Sequence, residues 1–378
     1  MTEQASVRSL RRVPDAPTAG PSGDVLPLPV RQLVAAGGTD PVLEDVLRRP
    51  PGRGEIRLRA EWSLVSPGTE LHYLDRSART GERFVLGYCS AGVVEAVGPQ
   101  APGFAPGDRV IAMGWDEAVH SGAVTVPHRL CRRVPDGLDL ADAVVAGLAA
   151  TAVHAVDRAV LEPADEVAVV GAGMVGQLVA QTVVARGVPV TLLDLRPERL
   201  RTAAALGLAT ADGAYFATER EGSDPGRAGN GGRCVFLCGT GDAGATVAAA
   251  ARWAGRAPGR PRLVGVGRFA AHIDFSVELG NLDIRYAARC GAGYRDASYA
   301  RGLTDVTAPD GEGTVTENLQ RALDLIRSGG IRPAAMELPR FPLERAAEAY
   351  AQLRERPAHP AVLFSHGPVD GTERGATP

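Results

Sequence analysis

The chain has 378 residues, 45% hydrophobic and 22% charged, with a formal net charge of −3. This is the composition of a globular protein long enough for two domains with their own cores, and its charge balance points to no nucleic-acid or charged-membrane partner. No apolar run approaches the ~20 residues that span a bilayer, and no apolar segment follows the N-terminal arginines as a secretory signal requires, so a cytoplasmic location is expected.

Cys89, Cys131, Cys234, Cys238 and Cys290 contain no C-x-x-C pair, which argues against a disulfide framework or a zinc ribbon. All 41 basic residues are arginine, so Schiff-base and lysine-relay chemistry are excluded.

In chain order, residues 1–28 are rich in Pro, Ala, Ser and Gly and read as a disordered arm. Strands are expected over 30–36, 55–62 and 109–113, with a turn-containing loop over 64–70 and one strand bent at glycine over 84–97. Together they make a mostly β domain up to about Pro135. Residues 140–159 read as a helix. After them strands and helices alternate: strands at 167–170, 188–193, 233–237 and 262–266, helices at 177–185, 197–206 and 243–253, and one further strand within 281–290. That alternation predicts a doubly wound parallel sheet. A polar loop is expected over 219–232. Helices at 316–328 and 343–353 and a strand at 361–364 follow, before a polar tail over 367–378 that reads as disordered.

The stretch from Glu166 to Asp194, EVAVVGAGMVGQLVAQTVVARGVPVTLLD, carries the strongest functional signal. A β-branched strand runs into Gly171, Gly173 and Gly176 in G-x-G-x-x-G spacing, then a helix, a second strand and an acid. The first glycine permits the tight turn, the second lets backbone approach a pyrophosphate, and the third lets helix pack on strand. Met174 and Val175, inside the glycine motif, join the cofactor set, and the helix over 177–185 presents its N-terminus to the phosphates. Asp194 is placed to accept from a ribose hydroxyl and to repel a 2′-phosphate, so NAD is expected in preference to NADP. Arg196 and Arg199 could offset that repulsion or simply form the solvated start of a helix. Gly239 and Thr240, and Gly265 and Val266, end the next two strands and complete the cofactor set.

The order of a β domain, a nucleotide domain and a return to the first resembles the medium-chain dehydrogenase/reductase superfamily, of the zinc alcohol dehydrogenase type. The stretches SAGVVEAVGPQAPGFAPGDRV (90–110), VPDGLDLADAVVAGLAATAVHAV (134–156) and VAVVGAGMVGQLVAQ carry the likeness. The resemblance implies an α/β fold: a GroES-like catalytic domain (29–155 and 296–366) and a Rossmann domain (156–295). It also implies a homodimer. The motifs SPGTE, GYCSAG and GAGYRDASY look closest to zinc-free groups, namely bacteriochlorophyllide a dehydrogenase and the dehydrogenase-like half of bidomain sugar-type oxidoreductases.

The departures matter most. Ser66 stands near the place of the family's first cysteine ligand, Tyr88-Cys89 replaces its His-Glu pair, and its third ligand falls near Ala146. No metal ligand, and no zinc, is therefore expected. Without a metal, a hydroxyl, imidazole or carboxyl must hold or move the proton. Tyr88 is the leading acid/base candidate, provided that something lowers its pKa; otherwise it fills the vacated metal space. Glu70 either anchors substrate and relays a proton or hydrogen-bonds nearby backbone. Ser66 either binds substrate or caps its turn, and His72 either relays a proton or lies at the surface. Cys89 reads as packing, Asp116 and His120 as surface residues and His154 as helix packing, while Tyr294 and Tyr299 could reach a substrate.

These readings converge on a zinc-independent oxidoreductase moving a hydride between NAD(H) and a small-molecule secondary alcohol or ketone, a cyclitol, sugar-derived or secondary-metabolite compound. Two alternatives remain open: an NAD(P)H-dependent enoyl or quinone reductase, and a non-catalytic nucleotide-binding or scaffold protein.

Overall fold

The computed structural model describes residues 25–216, 231–355 and 359–367. The arm, the 219–232 loop and the tail expected from the sequence lie almost wholly outside these residues.

Six parallel strands form one sheet in the spatial order Ala209–Ala211, Val190–Leu193, Glu166–Val170, Arg233–Leu237, Arg262–Gly265 and Asp283–Tyr286. The order of connection reverses between Glu166–Val170 and Arg233–Leu237. Adjacent crossovers therefore leave to opposite faces, and a crevice opens at the carboxyl ends of these two strands. Their central residues are fully buried, as a sheet covered on both faces requires.

The rest of the chain is β-rich. Arg340–Pro342, Leu363–Ser365, Glu55–Leu64, Cys89–Val97, Arg109–Met113 and Cys131–Arg133 lie side by side, and Ala123–Pro127 also pairs with Glu55–Leu64. A smaller antiparallel sheet joins Val42–Arg48, Leu28–Ala36 and Arg83–Val85. The two C-terminal strands thus return to the sheet begun near the N-terminus. Helix Ala146–Ala159 is buried between the two halves. Its apolar residues share one core with Leu58, Val94 and Ile111 on one side and with Val167 and Val169 of the parallel sheet on the other.

Four local expectations are corrected. Residues 64–70 are not a loop throughout: helix Pro67–Thr80 begins there, with Ser66 at its N-cap, proline in its first turn and left-handed Gly81 after its end. Strand Val42–Arg48 is masked in the sequence by its charged residues and is held by pairing along Leu28–Ala36. Residues 84–97 split into Arg83–Val85 and Cys89–Val97, which belong to different sheets. Gly87 turns between them at φ +91°, where a Cβ would lie 2.5 Å from the backbone nitrogen of His120. Finally, Leu140–Ala159 has the length and apolarity of a membrane span, yet 89% of it is buried inside the protein.

A buried ion pair fixes the end of this helix to the parallel sheet. Arg262 reaches Asp165 at 2.5 Å, with both side chains almost fully buried. It also donates to the carbonyls of Ala159 and Val160, where the helix stops in a left-handed turn. Asp165 accepts from the amides of Glu162 and Gly232. Arg262→Met removes one partner and strands the buried carboxylate, so we expect a loss of about 3–5 kcal/mol, read from the denaturant midpoint. An unchanged midpoint would contradict this role.

Candidate functional site

The crevice is built by the phosphate loop, and its three glycines have separable geometries. Gly171 adopts φ +101°, and a Cβ there would sit 3.1 Å from the Gly239 amide nitrogen. A Cβ on Gly173 would meet nothing within 4 Å, which leaves its face open to a ligand's approach. A Cβ on Gly176 would fall 1.7 Å from the carbonyl oxygen of Gly171, so only glycine allows this helix so close to the turn. Gly173 caps helix Met174–Ala185, directing amide N–H groups and the positive end of the helix at the opening. Met174 is buried, Val175 half-buried, and Gln177 braces the loop by donating to the Ala172 carbonyl.

Asp194 ends the next strand. Its carboxylate accepts from the amides of Ala172 at 2.8 Å and Arg196 at 2.9 Å, and the Arg199 guanidinium lies 3.5 Å away. The acid is thereby fixed beside the phosphate loop, with a positive charge at its side. Gly239 and Thr240 lie beyond the neighbouring strand. Gly265 packs against the Tyr286 ring, and the Val266 amide donates to the Leu237 carbonyl. The open face at Gly173, the helix N-terminus and the acid fit a dinucleotide.

A cavity of about 640 Å³ separates this loop region from helix Pro67–Thr80; Pro67, Gly68 and His72 line one wall, and Arg199, Thr240 and Arg268 the other. His72 and Thr240, expected separately from the sequence, thus share one cleft. Arg268 is an addition to the sequence reading, although it directly follows the strand-ending Gly265-Val266-Gly267. It donates to Nε2 of His72 at 3.2 Å. Partial burial, then Arg268 and two more arginines, push the His72 pKa down, so the imidazole is neutral and accepts.

Tyr88, Ser66 and Thr69 form a second group. The Tyr88 pKa is raised, chiefly by burial and then by Cys89; hydrogen bonds from the Ser66 and Thr69 hydroxyls oppose the rise, and Glu70 adds a smaller push upward. The condition attached to Tyr88 is not met: its pKa moves away from neutrality, and the phenol stays protonated near neutral pH. Ser66 makes no side-chain cap bond to its helix, which leaves the hydroxyl to the site.

Glu70 lies deeper, with no exposed surface. It accepts from the Ser66 amide at 2.7 Å, from the Tyr350 hydroxyl at 2.5 Å and from Nε2 of His120 at 2.9 Å. With Nε2 donating, Nδ1 of His120 accepts from the Ser63 hydroxyl at 2.7 Å, and Ser63 accepts from Nε2 of His366 at 2.9 Å. Nδ1 of His366 then carries only a lone pair, in keeping with its lack of a partner among the described residues. Glu70 therefore organises the site rather than touching a substrate. His120 is corrected from a surface residue to a fully buried one. Its neighbours in sequence carry no sign of this, because its partners come from distant strands and helices.

The remaining candidates separate cleanly. Cys89 packs where a Cβ on Gly147 would meet its sulfur at 2.6 Å, and burial raises its pKa. Asp116 is exposed, and His154 is buried beside Glu312. Tyr299 donates to Thr316, away from the cleft, whereas the Tyr294 hydroxyl accepts from the Trp115 amide at 3.1 Å. Ser66, Tyr88 and the fully buried Ala146 offer a hydroxyl, a phenol and a methyl, a poor donor set for zinc. Among the described residues, no three His, Cys, Asp or Glu side chains gather to hold a metal.

His366 supplies a test of the network. Burial, then His120, push its pKa from 6.5 down to about 3. Between those values the unfolded chain binds more protons than the folded one, so the stability contributed by the neutral ring is complete above 6.5 and is lost as pH falls toward 3. The melting temperature should fall across that window, and less steeply in His366→Asn. Equal slopes for the two proteins would contradict the assignment.

Residues 166–215 match the family model "3-hydroxyacyl-CoA dehydrogenase, NAD binding domain". The chain is 33% identical over 216 residues to erythronolide synthase EryA2 of Saccharopolyspora erythraea, covering 55% of this chain and 6% of that one. It is 30% identical over 165 residues to a probable D-xylulose reductase A of Arthroderma otae, covering 35% of this chain and 46% of that one. It therefore spans less than half the length of either relative. Among solved structures, alcohol dehydrogenase TADH from Thermus sp. ATN1 superposes with a TM-score of 0.68 at 22% identity, over 89% of this chain and 100% of that one. The chain has the fold of the medium-chain dehydrogenase/reductase superfamily, a β-rich domain joined to a nucleotide-binding domain.

Proposed function

We propose that the protein is an oxidoreductase that moves a hydride between NAD(H) and a secondary alcohol or ketone without zinc. The observation that carries this reading is the cleft itself: Arg199, Thr240 and Arg268, which follow strands of the parallel sheet, line one wall, and Pro67, Gly68 and His72 of helix Pro67–Thr80 line the other. The bound nicotinamide supplies the hydride acceptor or donor. The chain's own residues bind, orient and handle the proton.

Amide N–H groups at the start of helix Met174–Ala185 hold the pyrophosphate. Asp194 accepts from the adenosine ribose, and its charge opposes a 2′-phosphate, which supports NAD over NADP; Arg199, at 3.5 Å, offsets part of that charge. Tyr88, held neutral by burial, donates to the substrate oxygen. In the reductive direction it gives up its proton as the carbonyl oxygen becomes an alcohol. Its raised pKa suits this direction, because a weak acid still protonates an alkoxide. Ser66 and Thr69 then stabilise the phenolate by hydrogen bonding.

The neutral state of Tyr88 also suits a second reading. That reading is reduction of an enone, where the hydride goes to the alkene carbon, no alkoxide forms at the carbonyl carbon and the Tyr88 proton is not needed. Tyr88→Phe separates the two. For a ketone reductase we expect kcat to fall by about 10²–10⁴, with NADH affinity, followed by nicotinamide fluorescence, unchanged. Nearly intact activity would exclude Tyr88 as the acid and favour enone reduction.

A further inference from the structure

Only 5% of the residues are aromatic, yet five aromatic side chains gather beside the cleft. The Tyr73 ring lies 4.5 Å from Trp115 and 4.8 Å from Phe84, and Trp115 lies 6.0 Å from Tyr88. Tyr294 holds the row from behind, its hydroxyl accepting from the Trp115 amide. All five are half-buried rather than enclosed in the aliphatic core. The loop that presents Trp115 is locked: Gly114 has φ +145°, its carbonyl accepts from the amides of Glu117 and Ala118, and Asp116 adopts a left-handed φ of 66°.

The row is continuous with the cofactor cleft. Arg268, which lines that cleft, lies over the Tyr73 ring at 5.8 Å, and the His72 ring meets Tyr73 edge-on at 5.4 Å. The row therefore touches the cleft-lining Arg268 and His72 through Tyr73 and ends at the Tyr88 ring. The parts of these rings left uncovered, held in a fixed row, are a surface for another ring, because aromatic faces prefer offset or tilted ring partners to water.

We propose that Tyr73, Trp115 and Tyr88 form a stacking wall for the substrate, and that the preferred substrate carries its secondary alcohol or ketone beside a planar ring. This rests on the hydride-transfer reading and narrows it. A ring stacked on Trp115 brings its adjoining carbonyl toward Tyr88, so the wall sets both affinity and orientation.

Calorimetric titration of the protein with acetophenone and with butanone, with and without NADH, tests the wall without needing turnover. Acetophenone should bind about tenfold more tightly than butanone. Trp115→Ala should remove most of that preference, while Trp115→Phe retains it and NADH affinity stays unchanged as a control for folding. Equal affinity for the two ketones, or an equal loss of both in Trp115→Ala, overturns the proposal. Ring-selective binding without hydride transfer would instead end the functional reading and leave the wall standing.

Discussion

The site is held in place by a single buried carboxylate. Glu70 accepts three hydrogen bonds with no exposure to solvent, and its donors come from the turn at Ser66, the loop at His120 and the C-terminal helix at Tyr350. A buried carboxylate is costly unless its acceptors are filled, so each of these segments is held in register by that requirement. His120 extends the constraint through Ser63 to His366, adding the central strand Glu55–Leu64 and the end of the C-terminal strand. Glu70 satisfies the Ser66 amide, and the Ser66 hydroxyl makes no cap bond to its helix. Tyr88 follows Gly87, where the close approach of His120 demands glycine. A change in the carboxylate's partners is therefore felt by the donor residues even though Glu70 reaches no substrate.

The opposite wall depends on a different constraint, the closeness of backbone to backbone. Gly176 meets the Gly171 carbonyl, and Gly267 similarly approaches that of Gly239. These contacts hold the ends of the central strands together and keep the loop's amides pointing into the crevice. The two walls are thus stabilised separately, and helix Ala146–Ala159, fixed to the parallel sheet by the Arg262–Asp165 pair, gives them a common frame. Within that frame the phosphate-loop side is polar and backbone-built, whereas the side around Tyr73, Trp115 and Tyr88 is aromatic and side-chain-built.

Much of the fold is legible in the sequence because its signals are local. The strand, glycines, helix, strand and acid between Glu166 and Asp194 follow one another along the chain, and the structure places them as expected. The glycine motif and Asp194 are readable for the same reason. Helix Pro67–Thr80 escapes a sequence reading because proline, glycine and threonine at its start resemble a turn, while it buries few apolar residues. Glu70 and Tyr88 stand out when a motif is compared position by position, but their roles depend on long-range neighbours. The partners of His120 are separated from it by many residues, and the aromatic row is assembled from four separate segments, so neither has a local pattern to read.

Where the hydride goes decides the function. The most direct measurement uses NADH deuterated at the nicotinamide carbon that delivers the hydride, incubated with the protein and an aryl ketone that also carries a conjugated double bond. Mass spectrometry and proton NMR then locate the label in the product. Deuterium on the carbinol carbon is the result expected of an alcohol–ketone oxidoreductase. Deuterium on the alkene carbon, with the carbonyl intact, would contradict it.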